Sequence, residues 1–400
     1  MAHPADTVDA VDPADTRTTV DTPLAAPDHA GSPGASGPRT VGVEEEFLLV
    51  DPVTGRARAV ATSLLRSAPD AGDLCAELQR EQLETGTSPC RDLAHLAEEI
   101  RRTRAAAQSA AEVTGVAVAP LATYPLDVEP TPSPNERSRR MVERFGLIGR
   151  EQLTCGCHVH VGVADDVEAV AALDRIRPWL APLLALSVNS PFWAGADTGY
   201  AGYRAQVWPR WPSAGPYGAF GSAAGYRALT DTMLGTGTLL DAGMLYFDAR
   251  VSTHLPTVEI RVADVCREAD DAVLVAALVR ALVETAVREW RAGVDADPVR
   301  TEVLRLASWR AARTGVSADL VDPATWRPAP ARTVLDRLLA HVRDALADAG
   351  DLEAVSGRLE AVLRRGTGAE RQRAVFRATG DLRAVVLDAL PVGPRDAAAY

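Results

Sequence analysis

Lysine is absent from this 400-residue chain, and all 42 basic residues are arginine. That excludes the lysine of a phosphate-cradling P-loop, Schiff-base chemistry and a carbamylated-lysine metal bridge. Arginine remains available for planar recognition of carboxylates and phosphates. Cysteine is sparse: five residues (Cys75, Cys90, Cys155, Cys157 and Cys266) are too few and too odd for a secreted disulfide framework and fit a reducing, cytoplasmic setting. No stretch reaches the roughly 18 apolar residues of a membrane span, and the N-terminus has no apolar signal segment, so no membrane partner is expected. A basic excess is missing as well. With 54 acidic residues against 42 basic ones, the charge of −12 repels nucleic acid, which points to small-molecule partners.

What is present is enough apolar residue, 47%, to bury a substantial core. Residues 1–38 are rich in Asp, Ala, Pro, Thr, Gly and Ser without an aromatic residue, and they read as a disordered leader. A single catalytic domain is expected over 39–388, with a tail at 389–400. Strands are expected at 41–50, 77–85, 116–120, 154–163 and 255–262, and helices at 92–111, 136–145 and 168–188, the last kinked near Pro178. Residues 190–221 form a long loop dense in Trp, Tyr, Pro and Gly, a length that usually carries function. From 270 to 388 the pattern is almost wholly helical. Early strands and late helices predict an α+β fold, with helices packed on a curved, largely antiparallel sheet.

Chemistry concentrates on the strands. In Gly42-Val43-Glu44-Glu45-Glu46-Phe47 the period of two places Glu44 and Glu46 on one face and Glu45 on the other. Two carboxylates on a rigid strand repel unless cations lie between them, and Mg²⁺ prefers such oxygens together with phosphates; a solvated charge run would look the same. On this reading Glu45→Gln should be nearly silent. Across 77–85, Arg80, Gln82 and Glu84 form a polar row, and Glu77, of opposite parity, joins Glu84 only if a bend intervenes. In Thr154-Cys155-Gly156-Cys157-His158-Val159-His160-Val161 the histidines share one face and the cysteines the other, which disfavours a zinc site using both. In Val258-Glu259-Ile260-Arg261-Val262, Glu259 and Arg261 share a face, as either a metal-and-phosphate pair or an ordinary ion pair.

Taken in order, these motifs resemble the type 2 glutamate-cysteine ligases, or carboxylate-amine ligases, from about Thr40 to Arg373. The resemblance rests on Gly-Val-Glu-Glu-Glu-Phe at 42–47, Glu-Gln-Leu-Glu at 81–84 and Cys-His-Val-His-Val-Gly at 157–162. It continues through Asn-Ser-Pro-Phe-Trp at 189–193, Asp-Thr-Gly-Tyr at 197–200, Gln-Val-Trp at 206–208, Val-Glu-Ile-Arg at 258–261, Arg-Gly-Thr-Gly at 365–368 and Arg-Gln-Arg at 371–373. It implies a sheet like that of the glutamine synthetase catalytic domain, holding ATP and Mg²⁺ on its concave face. The implied metal ligands are Glu44, Glu46, Glu77, Glu84, His158 and Glu259. Arg261 would steady the transferred phosphoryl group, and Glu84 would serve the reaction beside it. The chemistry implied is attack of a substrate carboxylate, glutamate in the family's name, on the γ-phosphate of ATP. An amine then displaces phosphate from the acyl phosphate.

That chemistry needs cations and positioning more than a protein nucleophile, so the missing lysine is no obstacle. Arg204, Gln206, Trp208 and Arg210 in the aromatic loop are expected to line the amino-acid site, or merely to pack. Arg371 and Arg373 offer an anion site for the nucleotide near the Gly366-Thr367-Gly368 turn, or a plain helix surface. Cys155 and Cys157 depart mildly from the family's strand. The resemblance leaves the oligomeric state open, a homo-oligomer included. Two other classes compete: a metal-dependent amidohydrolase, whose His-x-His strand would come early among repeating strand-helix units, and a relative that binds nucleotide or metal without turnover.

Overall fold

A computed structural model describes residues 37–68 and 73–391; the expected leader up to residue 36 and the tail from residue 392 lie outside the described residues. Runs of Val, Ile and Cys alternating with polar residues form the main sheet. Its strands are β1 (Val41–Val50), β2 (Leu74–Ala76), β3 (Gln82–Gly86), β4 (Ala117–Ala119) and β5 (Gly156–Gly162). A small hairpin of β6 (Phe192–Trp193) and β7 (Ala196–Asp197) follows, and β8 (Ala249–Val251) and β9 (Thr257–Asp264) complete the sheet. The order is β2-β3-β1-β5-β9-β8, with β4 paired to the far end of β1, and every pairing is antiparallel.

One face of the sheet is a dry floor. Val41, Val43, Cys157, Val159, Val161, Val258 and Ile260 are buried there against the helices α1 (Leu93–Val113), α2 (Asp166–Ile176), α3 (Leu180–Ser187) and α4 (Ala269–Arg291). The α4 helix is apolar nearly all round, and its residues Ala272–Val279 are all buried, as a helix at the centre of a core must be. Glu45 lies on this same face. At 1% exposure it accepts two hydrogen bonds from Arg104 on α1, at 2.8 and 2.6 Å, and Arg104 also donates to the carbonyls of Cys266 and Arg267.

Three expectations are corrected. The strand anticipated over 77–85 forms only from Gln82: β2 ends at Ala76, the chain reverses through 78–81, and β3 starts at Gln82. The helix at 168–188 is α2 and α3 joined by a 3-10 turn at Arg177–Trp179, because Pro178 has no N–H to continue the ladder. The helical C-terminal third is interrupted by the hairpin β10 (Asp319–Asp322) and β11 (Arg327–Pro330). Its turn sets Trp326 at a φ of 53°, a conformation that periodicity does not reveal.

Candidate active site

The opposite face of the sheet carries the polar side chains, and antiparallel register sets them side by side. Glu46 lies opposite Glu84, Glu44 opposite His158, His160 opposite Glu259, and Glu259 opposite Arg250. Residues directly opposite on one face are within reach of each other, so four strand pairings build one row. Glu77 joins it from the chain reversal after β2, which supplies the bend that its parity demanded. Three groups of potential ligand atoms lie within 4.8 Å of one another: Glu44, Glu84 and His158; Glu44, His160 and Glu259; and Glu46, Glu77 and Glu84. The row floors a cleft of about 920 Å³, counted to its open mouth, whose other walls include Leu78, Met141, Trp208, Trp211 and Tyr246.

Burial and crowding set the electrostatics. Burial, reinforced by the Glu46 charge, pushes the Glu77 carboxyl up to about 8. Glu84 is raised well above the usual range by burial and by Glu44 and Glu77. Glu44 goes the other way: burial opposes its charge, but His160 and hydrogen bonds from both histidines hold it well below the usual range. Glu259 is likewise held low, against its burial, by Arg250 and Arg261. Arg250 Nε donates to Glu259 Oε2 at 2.6 Å and an Arg261 Nη donates to Glu259 Oε1. His160 Nε2 lies 3.4 Å from Glu44 Oε2, and His158 Nδ1 lies 3.7 Å from the same atom.

A divalent cation fits this arrangement. The donors are carboxylate oxygens joined by imidazoles, the set for a hard ion bound together with phosphate. The Nε2 atom of His158 is also buried without a hydrogen-bond partner, a state that buried polar groups rarely keep.

Of the residues expected at the site, Glu44, Glu46, Glu77, Glu84, His158, Glu259, Arg261 and Trp208 line the cleft. Five others are placed elsewhere. Arg210 pairs with Glu151 at 2.7 Å, and Gln206 is half-buried on the short helix Arg204–Val207; neither is part of the cleft wall. Arg371 pairs with Asp388, and Arg373 pairs with Asp197 and donates to the Tyr200 carbonyl, so both guanidinium groups are occupied outside the cleft. Arg204 is buried beside Gly156 of β5, outside the residues that line the cleft. Arg250, Gln82, Gln152, Thr154, Trp211 and Tyr246 also line the cleft and were not singled out as site residues. Gln82 did show in the polar row of β3, but Arg250 gave no sequence signal, because its partner Glu259 is set by hairpin register.

The sequence profile described as glutamate-cysteine ligase family 2 matches residues 40–388. The chain belongs to that family. A Frankia alni protein provisionally named glutamate–cysteine ligase 2-2 is 51% identical over 366 residues, covering 88% of this chain and 96% of that protein. A Streptomyces coelicolor relative, provisionally named glutamate–cysteine ligase 2, is 52% identical over 352 residues and covers 87% and 97%. Membership of glutamate-cysteine ligase family 2 makes the chain an enzyme, an ATP-dependent amide-forming ligase.

The fold is shared more widely. The glutamate–cysteine ligase of Francisella tularensis, solved in complex with AMP, superposes with a TM-score of 0.62 at 13% identity, covering 88% of this chain and 87% of that one. A bifunctional glutathione synthetase from Pasteurella multocida gives 0.61 at 15% identity, covering 88% and 52%. Both likenesses concern the fold alone, and they bear out the expected antiparallel sheet with packed helices.

Proposed function

We propose that this family 2 ligase joins the side-chain carboxylate of glutamate to the amine of cysteine in the cytosol, by way of an acyl phosphate, with Mg²⁺ as the resident cation. The observation that carries the reading is the row of Glu84, Glu46, Glu44, His158, His160 and Glu259 beside Arg261 on one rigid sheet face. The family 2 relatives' shared name supports the substrate pair. Cys90, Cys155, Cys157 and Cys266 are in no disulfide, which fits a reducing compartment, and no helix of the described residues is long and apolar enough to cross a membrane.

In this reading Glu44, Glu46, Glu77, Glu84, His158, His160 and Glu259 would hold the cations, which would draw charge from the phosphate oxygens. The chain's own contribution is positioning and electrostatics. Arg261 presents a guanidinium against the cleft, fixed at one end by Glu259 and close to the rings of Trp208 and Tyr246, each about 5.9 Å away. Those rings exclude water from one side of the cleft, where an acyl phosphate would otherwise be hydrolysed. Glu77 and Glu84 hold protons while no cation is present and release them to admit one.

The test is ADP release by the purified protein with Mg-ATP and glutamate, with and without cysteine, followed by mass spectrometry of the product. Cysteine-dependent ADP release with a γ-glutamyl product is expected. ADP release that occurs only with another acid–amine pair would retain the ligase and refute the substrate assignment.

A further inference from the structure

The strands β5 and β9 are not in continuous register. Val159 pairs with Ile260 and Cys157 with Ala263, so that Arg261 and Val262 together face the single residue His158. This is a β-bulge, a device that re-aims a side chain at the expense of ladder hydrogen bonds. The bulge falls at Arg261 and Val262: the Arg261 side chain keeps the face it shares with Glu259, and the pairing of the carbonyls of Arg261 and Val262 is disturbed.

Both carbonyls are met from outside the sheet by one residue. Arg204 is 3% exposed, and its guanidinium donates to the Arg261 carbonyl at 3.3 Å and to the Val262 carbonyl at 3.5 Å. Its backbone N–H donates to Ser190 Oγ at 3.0 Å, and Ser190 Oγ donates to Asp264 Oδ2 at 2.7 Å, tying the short helix to the end of β9. The guanidinium also lies over the Trp208 ring, 5.7 Å from its centroid. Space for it exists because residue 156 is glycine: a Cβ there would come within 2.3 Å of Arg204 Nη2.

The geometry points to Arg204 as a positioning residue for phosphoryl transfer rather than a substrate contact. By capping the two bulge carbonyls through the notch at Gly156, it fixes where Arg261 and Trp208 stand over the cleft. The inference deepens the ligase reading and rests on it for the kinetic part of its test. A guanidinium donates to two carbonyls at once in a fixed plane, whereas an ammonium is a point donor. Displacement of a positioned group by about 1 Å can cost about a hundredfold in rate.

Arg204→Met and Arg204→Lys are assayed for ADP release as full-length proteins, with thermal unfolding as the check that each is folded. Arg204→Met is expected to lower kcat by roughly a hundredfold while KM for ATP and glutamate stays within about threefold, the pattern of an interaction that matters in the transition state. Arg204→Lys should recover part of that loss. In Gly156→Ala the added methyl would displace the Arg204 guanidinium but would also stand 3.0 Å from His158 Nε2, so its structure rather than its rate reports on Arg204. A raised KM with unchanged kcat would mark Arg204 as a substrate contact and overturn the proposal, as would wild-type kcat in folded Arg204→Met.

Crystal structures of Arg204→Met and Gly156→Ala give a readout independent of turnover. Movement of Arg261 and Trp208 relative to the wild type supports the proposal, and an unmoved pair refutes it. If the wild type turns over no acid–amine pair, the ligase reading fails while these structures still decide the role of Arg204.

Discussion

Adjacent glutamates of β1 should fail in opposite ways when neutralised. Glu45 is buried against the helices in a two-pronged ion pair with Arg104, so Glu45→Gln leaves a buried guanidinium without its counter-charge. Removing one partner of such a pair costs about 3–5 kcal/mol, and because glutamine still accepts a hydrogen bond, about 3 kcal/mol is expected. Unfolding entropy of about 2.1 cal/mol/K per residue, taken over the matched span 40–388, makes each kcal/mol worth roughly 1.4 °C in Tm. Glu45→Gln should therefore lower Tm by about 4 °C and leave kcat within a few-fold of wild type. Glu44→Gln faces the cleft and weakens the contacts its carboxylate makes with His158 and His160, so ADP release should be lost with no more than a small fall in Tm, well short of that in Glu45→Gln. Calorimetry and coupled ADP assays on the same preparations decide it. Loss of turnover in Glu45→Gln at unchanged Tm, or a matched fall in stability for both variants, would refute the assignment of faces.

Exhaustive chelation should abolish ADP release and added Mg²⁺ should restore it; activity that survives EDTA would remove the cations from the reaction. Because the folded protein keeps a proton on Glu77 up to about pH 8 that the unfolded chain releases near 4.5, this group takes stability away as pH rises through that window. Glu77→Gln should accordingly stabilise the metal-free protein more at pH 8 than at pH 5, and thermal unfolding at the two values showing the reverse order would contradict the raised pKa. Arg371→Ala and Arg373→Ala remove ion pairs outside the cleft and should each cost no more than about 1 kcal/mol, with KM for ATP unchanged. A tenfold rise in that KM would return these residues to the nucleotide site.

Much of the site was legible because strand periodicity is local. Alternation alone places Glu44 with Glu46, His158 with His160, and Glu259 with Arg261, and the motif order points to the family that the whole-chain comparison shows. The same rule places Glu45 on the opposite face, but not in a buried ion pair: Arg104 lies on a helix far along the chain, and only packing brings it there. Glu77 was legible as a misfit of parity, and the reversal between β2 and β3 resolved it. Arg371 and Arg373 read as free cations in a motif, whereas their partners Asp388 and Asp197 are chosen by how helix Gly368–Thr379 docks.

By itself, then, the sequence determined the residue types, their faces and the class of chemistry, since a side-chain period of two and the hardness of carboxylate donors are local properties. The tertiary structure decided which faces meet, in what register, and with which buried partners. Register sets Arg250 against Glu259, and a bulge opposite His158 leaves the Arg261 and Val262 carbonyls to be met by Arg204. These pairings depend on hydrogen-bond ladders and packing between segments distant in the chain, where no local period reaches.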